Sequence, residues 1–185
     1  DERVYHDRVV GELSEATRRL EAFIRDLQAR QRRVARTPPP RGAPETPAVG
    51  FGTLRGRLPW PAEGHVVAAF GAQTHPRFGT RTFRNGIDIE AGEGTDVAAV
   101  HAGQVVYTGW FKGYGNLVIL DHDNDYYTLY AHLADIVVKE GDDVRRGQRI
   151  GTVGDTGSLA GPRLYFEVRY QGKPVDPEQW LRQGS

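Results

Sequence analysis

The sequence predicts a mostly β, antiparallel domain preceded by one long, coiled-coil-type α-helix. Three observations carry that expectation: a heptad-spaced apolar seam at the start, a proline-dense break, and many short strand-like runs thereafter. Residues 1 to about 36 contain one Gly and no Pro and are rich in Arg, Glu, Leu and Ala, a composition that favours helix. Val10, Leu13, Thr17, Leu20, Ile24, Leu27, Gln31 and Val34 recur at alternating spacings of three and four, the signature of a coiled-coil seam. Phe23 widens the stripe, and Glu21 with Arg25 makes a favourable i,i+4 pair. About four heptads are marginal alone, so the helix must pack on something. The expected partner is a second copy of the same coil; the alternative is an arm folded onto its own domain.

Pro38, Pro39 and Pro40 end the helix, because proline lacks the amide donor and clashes with the preceding turn. Residues 37–50 therefore read as a linker, stiff where the prolines run together. From Phe51 onward, residues 51–185, runs of β-branched and aromatic residues alternate with Gly, Asp and Asn. Val97–Val100, Gln104–Thr108, Leu117–Leu120, Tyr126–Tyr130 and Leu164–Tyr170 are the clearest strands, with Val144 and Gln148–Val153 adding at least one more. Asp121–Asp125 lies between two such runs and reads as a hairpin connection.

Composition narrows the function classes. Of 185 residues, 24 are Lys or Arg and 24 Asp or Glu, so no basic surplus points to nucleic acid. With no cysteine there is no disulfide, thiolate metal site or cysteine nucleophile. The absence of methionine predicts a processed or excised chain whose export signal or anchor has been removed.

A series of short strings then carries a resemblance. Asn85-Gly86-Ile87-Asp88-Ile89 is followed by Gly94-Thr95-Asp96-Val97, Ala102-Gly103-Gln104-Val105 and Gly113-Tyr114-Gly115-Asn116. Tyr130-Ala131-His132-Leu133, Gly147–Gly151, Gly154-Asp155-Thr156-Gly157, Gly161–Glu167 and Val175-Asp176-Pro177 continue the order. Nine strings in register resemble the LytM domain of the lysostaphin-like metallopeptidases over roughly residues 65–182. Most of the glycines are read as turn scaffold.

The resemblance implies a zinc ion held by a His-x-x-x-Asp pair and the second histidine of His-x-His, with two further histidines assisting catalysis. On that template Arg84 stands at the first ligand, Asp88 matches the aspartate, Tyr165 replaces the last ligand, and Arg163 replaces the catalytic histidine before it. His132 matches the other catalytic histidine. Guanidinium stays protonated and repels a dication, and a phenol is a poor substitute for imidazole, so neither zinc nor any other cofactor is expected. Asp88 is expected to pair with Arg84 or Arg163, and His132 to be hydrogen-bonded within the domain. His6, His65, His75, His101 and His122 are expected on the surface or in turns.

Degenerate LytM domains joined to coiled coils resemble murein hydrolase activators of the EnvC kind, more than the NlpD kind with its extra LysM module. The resemblance implies a non-catalytic activator of cell-wall N-acetylmuramoyl-L-alanine amidases in peptidoglycan hydrolysis during cell division, in the periplasm or cell envelope. It also implies coupling of the coil to a division-associated membrane transporter, and an arm able to occlude the amidase groove. Helix-in-groove docking is the expected mode, with Tyr114, Tyr130 and Tyr165 as candidate anchors. The rivals are an active zinc endopeptidase with unusual ligands and a peptidoglycan-binding scaffold module.

Overall fold

The computed structural model describes residues 2–35, 50–158 and 160–183, with backbone alone for 31–35. The linker expected over 37–50 therefore lies outside the described residues apart from Gly50, as do the side chains of Gln31 and Val34.

Helix α1 spans Glu2–Ala35. The strands are β1 (His65–Ala68), β2 (Gly71–Thr74), β3 (Arg81–Arg84), β4 (Ile87–Glu90), β5 (Asp96–Ala98) and β6 (Gly103–Phe111). They continue with β7 (Gly115–Asp121), β8 (Tyr126–Ile136), β9 (Asp143–Val144), β10 (Arg149–Val153), β11 (Arg163–Tyr170) and β12 (Lys173–Val175). Ten strands form one antiparallel sheet along the path β1-β4-β11-β8-β7-β6-β9, while β2 and β3 make a separate two-stranded hairpin. Asp121–Asp125 does connect β7 to β8. Asp123, Asn124 and Asp125 all adopt positive φ there, which Asp and Asn tolerate better than other residues with side chains.

Period-two alternation divides the sheet's side chains between two apolar layers. Val118 and Leu120 of β7, Tyr130 of β8 and Phe166 and Val168 of β11 enter the main core with Ile87, Ile89, Phe51 and Trp180. Leu117 and Ile119, Tyr127, Leu129 and Ala131, and Tyr165 face the other way, where α1 lies across them. The helix contributes Ala16, Leu20, Ile24 and Leu27, all buried, with Phe23 packed alongside.

The apolar seam is real, but its partner is the chain's own sheet, and the expected pairing with a second coil is corrected accordingly. A heptad stripe needs only an apolar surface opposite it, and three strands supply one here. Leu13, which a coiled coil would bury, is 47% exposed, and Ala16 takes a buried place instead. Each fully buried Leu or Ile in this layer contributes roughly 1.5–3 kcal/mol.

One face of β11 adds a buried polar row to this layer. Tyr165, Glu167 and Arg169 alternate toward α1 and pair in register with Ala131, Leu129 and Tyr127. The Tyr165 hydroxyl donates to Glu167 Oε1 at 2.7 Å, and Arg169 Nε and Nη2 reach the same carboxylate at 3.2 Å. Glu167 and Arg169 are both fully buried.

His122 also departs from expectation. It is buried, hydrogen-bonded to the Ala102 carbonyl at 2.8 Å and to Thr128 Oγ1 at 2.7 Å, and stacked on Phe51. Burial pushes its imidazole down to about 4, so it is neutral at pH 7.

Gly115 shows why one of the motif glycines is obligatory. Its φ is +71°, and a Cβ there would lie 2.0 Å from the Thr156 carbonyl oxygen. Gly115→Ala is expected to cost about 3 kcal/mol or more in urea unfolding, from a left-handed backbone and a backbone clash together. A loss below about 1 kcal/mol would mean the 154–158 loop shifts freely.

Candidate functional site: a cleft floored by an ion pair

The loop that Gly115 admits positions His132. The His132 Nδ1 lies 2.8 Å from the Thr156 carbonyl, and its backbone N–H donates to Tyr114 O at 2.8 Å. His132 has φ +63°, rare for a residue with a side chain, and this kink in β8 sets its ring beside the 45°-tilted pair of Tyr114 and Tyr165. Burial, the largest influence, lowers its imidazole below the ordinary value, so the ring is neutral at pH 7. The expected hydrogen bond within the domain is present.

Asp88 and Tyr165 stand opposite each other in the β4–β11 ladder, with Arg163 on the same face two residues earlier. Arg84 reaches in from the end of β3. Arg84 Nη1 lies 2.9 Å and Arg163 Nη1 3.1 Å from one and the same oxygen, Asp88 Oδ2. The pairing expected of Asp88 with Arg84 or Arg163 is thus made by both arginines at once, and neither contact is bidentate. Arg163 Nη2 further donates to the Ala160 carbonyl at 2.9 Å.

These residues do not fit a zinc ion. Asp88 Oδ2 already accepts from two cations, whose guanidiniums would repel a metal ion beside it. Tyr165 is a donor to Glu167, and burial raises its phenol further above its ordinary value, away from the phenolate a metal would need. Among the described residues no group of three His, Cys, Asp or Glu is placed to hold a metal.

Six of the seven residues singled out from sequence come together here. Arg84, Asp88, His132, Arg163 and Tyr165 line one cleft of about 600 Å³, together with Tyr114. Tyr130 does not join them. It is on the opposite layer of β8, fully buried, its hydroxyl accepting from the Val100 amide at 3.1 Å and from Thr128 at 3.0 Å. Three aromatic residues in the run Tyr126–Tyr130 leave the phase of alternation ambiguous, which is why it resembled a cleft residue.

Two further walls complete the cleft; the first was not anticipated from sequence, and the second was held only as the alternative of an arm folded onto its own domain. One is the hairpin, through Arg81, Thr82 and Phe83; the other is α1, through Val10, Leu13, Ser14, Ala16, Thr17 and Glu21. Tyr114 is covered by that helix, its hydroxyl 3.5 Å from Thr17 Oγ1, and Gly113 abuts Ala16. The helical seam itself was the signal for the second wall, but its partner is a long-range matter.

An antiparallel sheet with this cleft, its polar floor drawn from β3, β4, β8 and β11, defines a metallopeptidase scaffold of the lysostaphin type. The comparisons agree: residues 82–177 match the model of peptidase family M23, and the chain belongs to that family. It is 42% identical over 125 residues to the murein hydrolase activator NlpD of Escherichia coli K12, covering 67% of this chain and 31% of that protein. Identity to the murein hydrolase activator EnvC of the same organism is 37% over 132 residues, 71% of this chain and 30% of that one. A zinc-containing peptidase from Vibrio cholerae superposes with a TM-score of 0.63 at 32% identity, over 68% of this chain and 40% of that structure. The chain thus spans about a third of the length of the curated relatives it matches. No helix among the described residues is long and apolar enough to cross a membrane.

Proposed function

We propose that the chain is a non-catalytic activator of peptidoglycan hydrolysis, acting by docking a cell-wall amidase in the cleft. The carrying observation is that floor: two guanidiniums close on Asp88, the residue that the family resemblance aligns with a zinc-ligand aspartate, while the sheet around it is intact. Relatives named murein hydrolase activators support the same reading. Relatives named as lipoproteins favour a place in the cell envelope.

The preferred occupant of the cleft is an amphipathic helix, because α1 already lines it in that manner through Val10, Leu13, Ala16 and Thr17. Residues 1–36 then act as an autoinhibitory arm, and a division-associated transporter pulling on the coil would free the cleft. Tyr114 and Tyr165 are the anchors such a partner would reach, in place of the helix.

The chain alone is expected to leave purified sacculi intact and to stimulate a cognate amidase. Clearing of sacculi by the chain alone, abolished by a chelator, would overturn this in favour of a zinc endopeptidase. Co-sedimentation with sacculi without any effect on the amidase would replace it with a peptidoglycan-binding scaffold. Removing residues 1–36 is expected to strengthen amidase binding, and unchanged affinity would remove the arm from the account.

A further inference from the structure

The first turns of α1 are held by a cluster that has no part in the cleft floor. The His6 and His75 ring centroids are 4.4 Å apart, with Phe78 at 4.7 Å from His6 and 4.9 Å from His75. His6 Nε2 lies 3.1 Å from Thr80 Oγ1. Glu2 pairs with Arg77, whose guanidinium lies 5.6 Å from the centroid of the Phe78 ring. The turn joining β2 to β3 thereby clasps the start of the helix.

That turn is built on a neutral imidazole. The backbone N–H groups of Arg77 and Phe78 both donate to His75 Nδ1, at 3.1 and 3.2 Å. An imidazolium carries a hydrogen on Nδ1 and accepts nothing. Protonation of His75 therefore replaces two hydrogen bonds with two opposed N–H dipoles, in the turn that presents Phe78 to His6. Protonation of His6 as well sets two cations at stacking distance. The charged groups facing the pair are Arg77 from the turn and Glu2 from the helix, and they compensate each other. Arg3 and Asp7 flank His6 along α1, and Asp7 is exposed.

We propose that His6 and His75 form a proton-operated latch, which releases the first turns of α1 from the β2–β3 hairpin on acidification. The sign follows from proton counting. The closed latch has no room for a proton on His75 Nδ1, so it binds fewer protons than the open one, and closure weakens as pH falls. The turns released include Val10, Leu13 and Ser14, which form one wall of the cleft, while Leu20 and Ile24 remain packed further along. What release does for a partner rests on the activator reading; the latch itself does not.

Because the chain has no native cysteine, two can be introduced for spin labels without interference. Tyr5→Cys on α1 and Val67→Cys on β1 are both at exposed positions. Electron–electron distance measurements at pH 8 are expected to give one short population. At pH 5.5 a longer, broader population appears, raising the open-to-closed ratio about tenfold or more. His75→Asn, whose side-chain oxygen accepts the same two amides without titrating, is expected to keep the pH 8 distribution at both values. His6→Phe combined with His75→Asn, which keeps an aromatic ring at position 6 against Phe78, is expected to do the same. Superimposable wild-type distributions at the two pH values would overturn the proposal, as would opening of both variants on acidification to the wild-type extent. No amidase is present, so failure here leaves the activator reading standing.

Discussion

Glu167→Leu is expected to lower the stability of the chain by about 3–5 kcal/mol, the cost of leaving a buried partner charge uncompensated. Arg169 would then sit fully buried with a guanidinium whose remaining bond is to the Gly172 carbonyl at 3.2 Å, and the Tyr165 hydroxyl would lose its acceptor. For a chain of this size the melting temperature should fall by roughly 10 °C in calorimetry. The double variant Glu167→Leu with Arg169→Met should recover to within about 1 kcal/mol of wild type or exceed it, because desolvating an ion pair consumes most of its attraction. A single variant that melts within a degree or two of wild type would show that the row under α1 is hydrated in solution. The pair then marks α1 as a cover that sits over polar groups, which become easier to solvate once it leaves.

The second large effect is on that cover. Leu20→Asp together with Ile24→Asp removes the two fully buried side chains of the helical layer and sets carboxylates against Leu117, Ile119 and Leu129. Losing two burials of roughly 2 kcal/mol each, before any penalty for the charges, shifts the closed-to-open equilibrium by at least about a thousandfold. Trypsin is the direct readout, since Arg18, Arg19, Arg25 and Arg30 lie on α1. Cleavage in the helix should accelerate by orders of magnitude while the β domain keeps its circular dichroism. Cleavage at the wild-type rate would mean that the helix is held elsewhere. If the activator proposal holds, the same variant binds amidase more tightly than wild type.

The sequence announced some of this and hid the rest for identifiable reasons. The run Leu164–Tyr170 was readable because its alternation serves two layers, and the pairing of Asp88 was readable because the family resemblance sets two arginines, Arg84 and Arg163, around it. The hairpin β2–β3 was not anticipated. Arg81-Thr82-Phe83-Arg84 shows no alternation of burial, and its first three residues are exposed even in the folded chain. Tyr130 was placed in the cleft because an aromatic run does not reveal its phase. His122 was placed at the surface because it lies inside the turn-like acidic run Asp121–Asp125, where nothing local signals a cavity between Ala102 and Thr128. The partner of the α1 seam was beyond local reading altogether, since Leu20 and Ile24 would be spaced identically against a helix or a sheet.

The covering of the sheet by α1 has one more consequence, in the arithmetic of competition. A helix tethered to its own binding face is present there at an effective concentration of order millimolar, whatever the concentration of the protein. Any rival for that face meets a chain in which only the open fraction is competent, and its apparent dissociation constant rises by the inverse of that fraction. With one molecule in roughly a hundred open, a rival of intrinsic micromolar affinity binds about a hundredfold more weakly. A shift of about 1.4 kcal/mol in the hold on α1, whether by a proton or a mutation, would then change its occupancy tenfold without altering a single contact it makes.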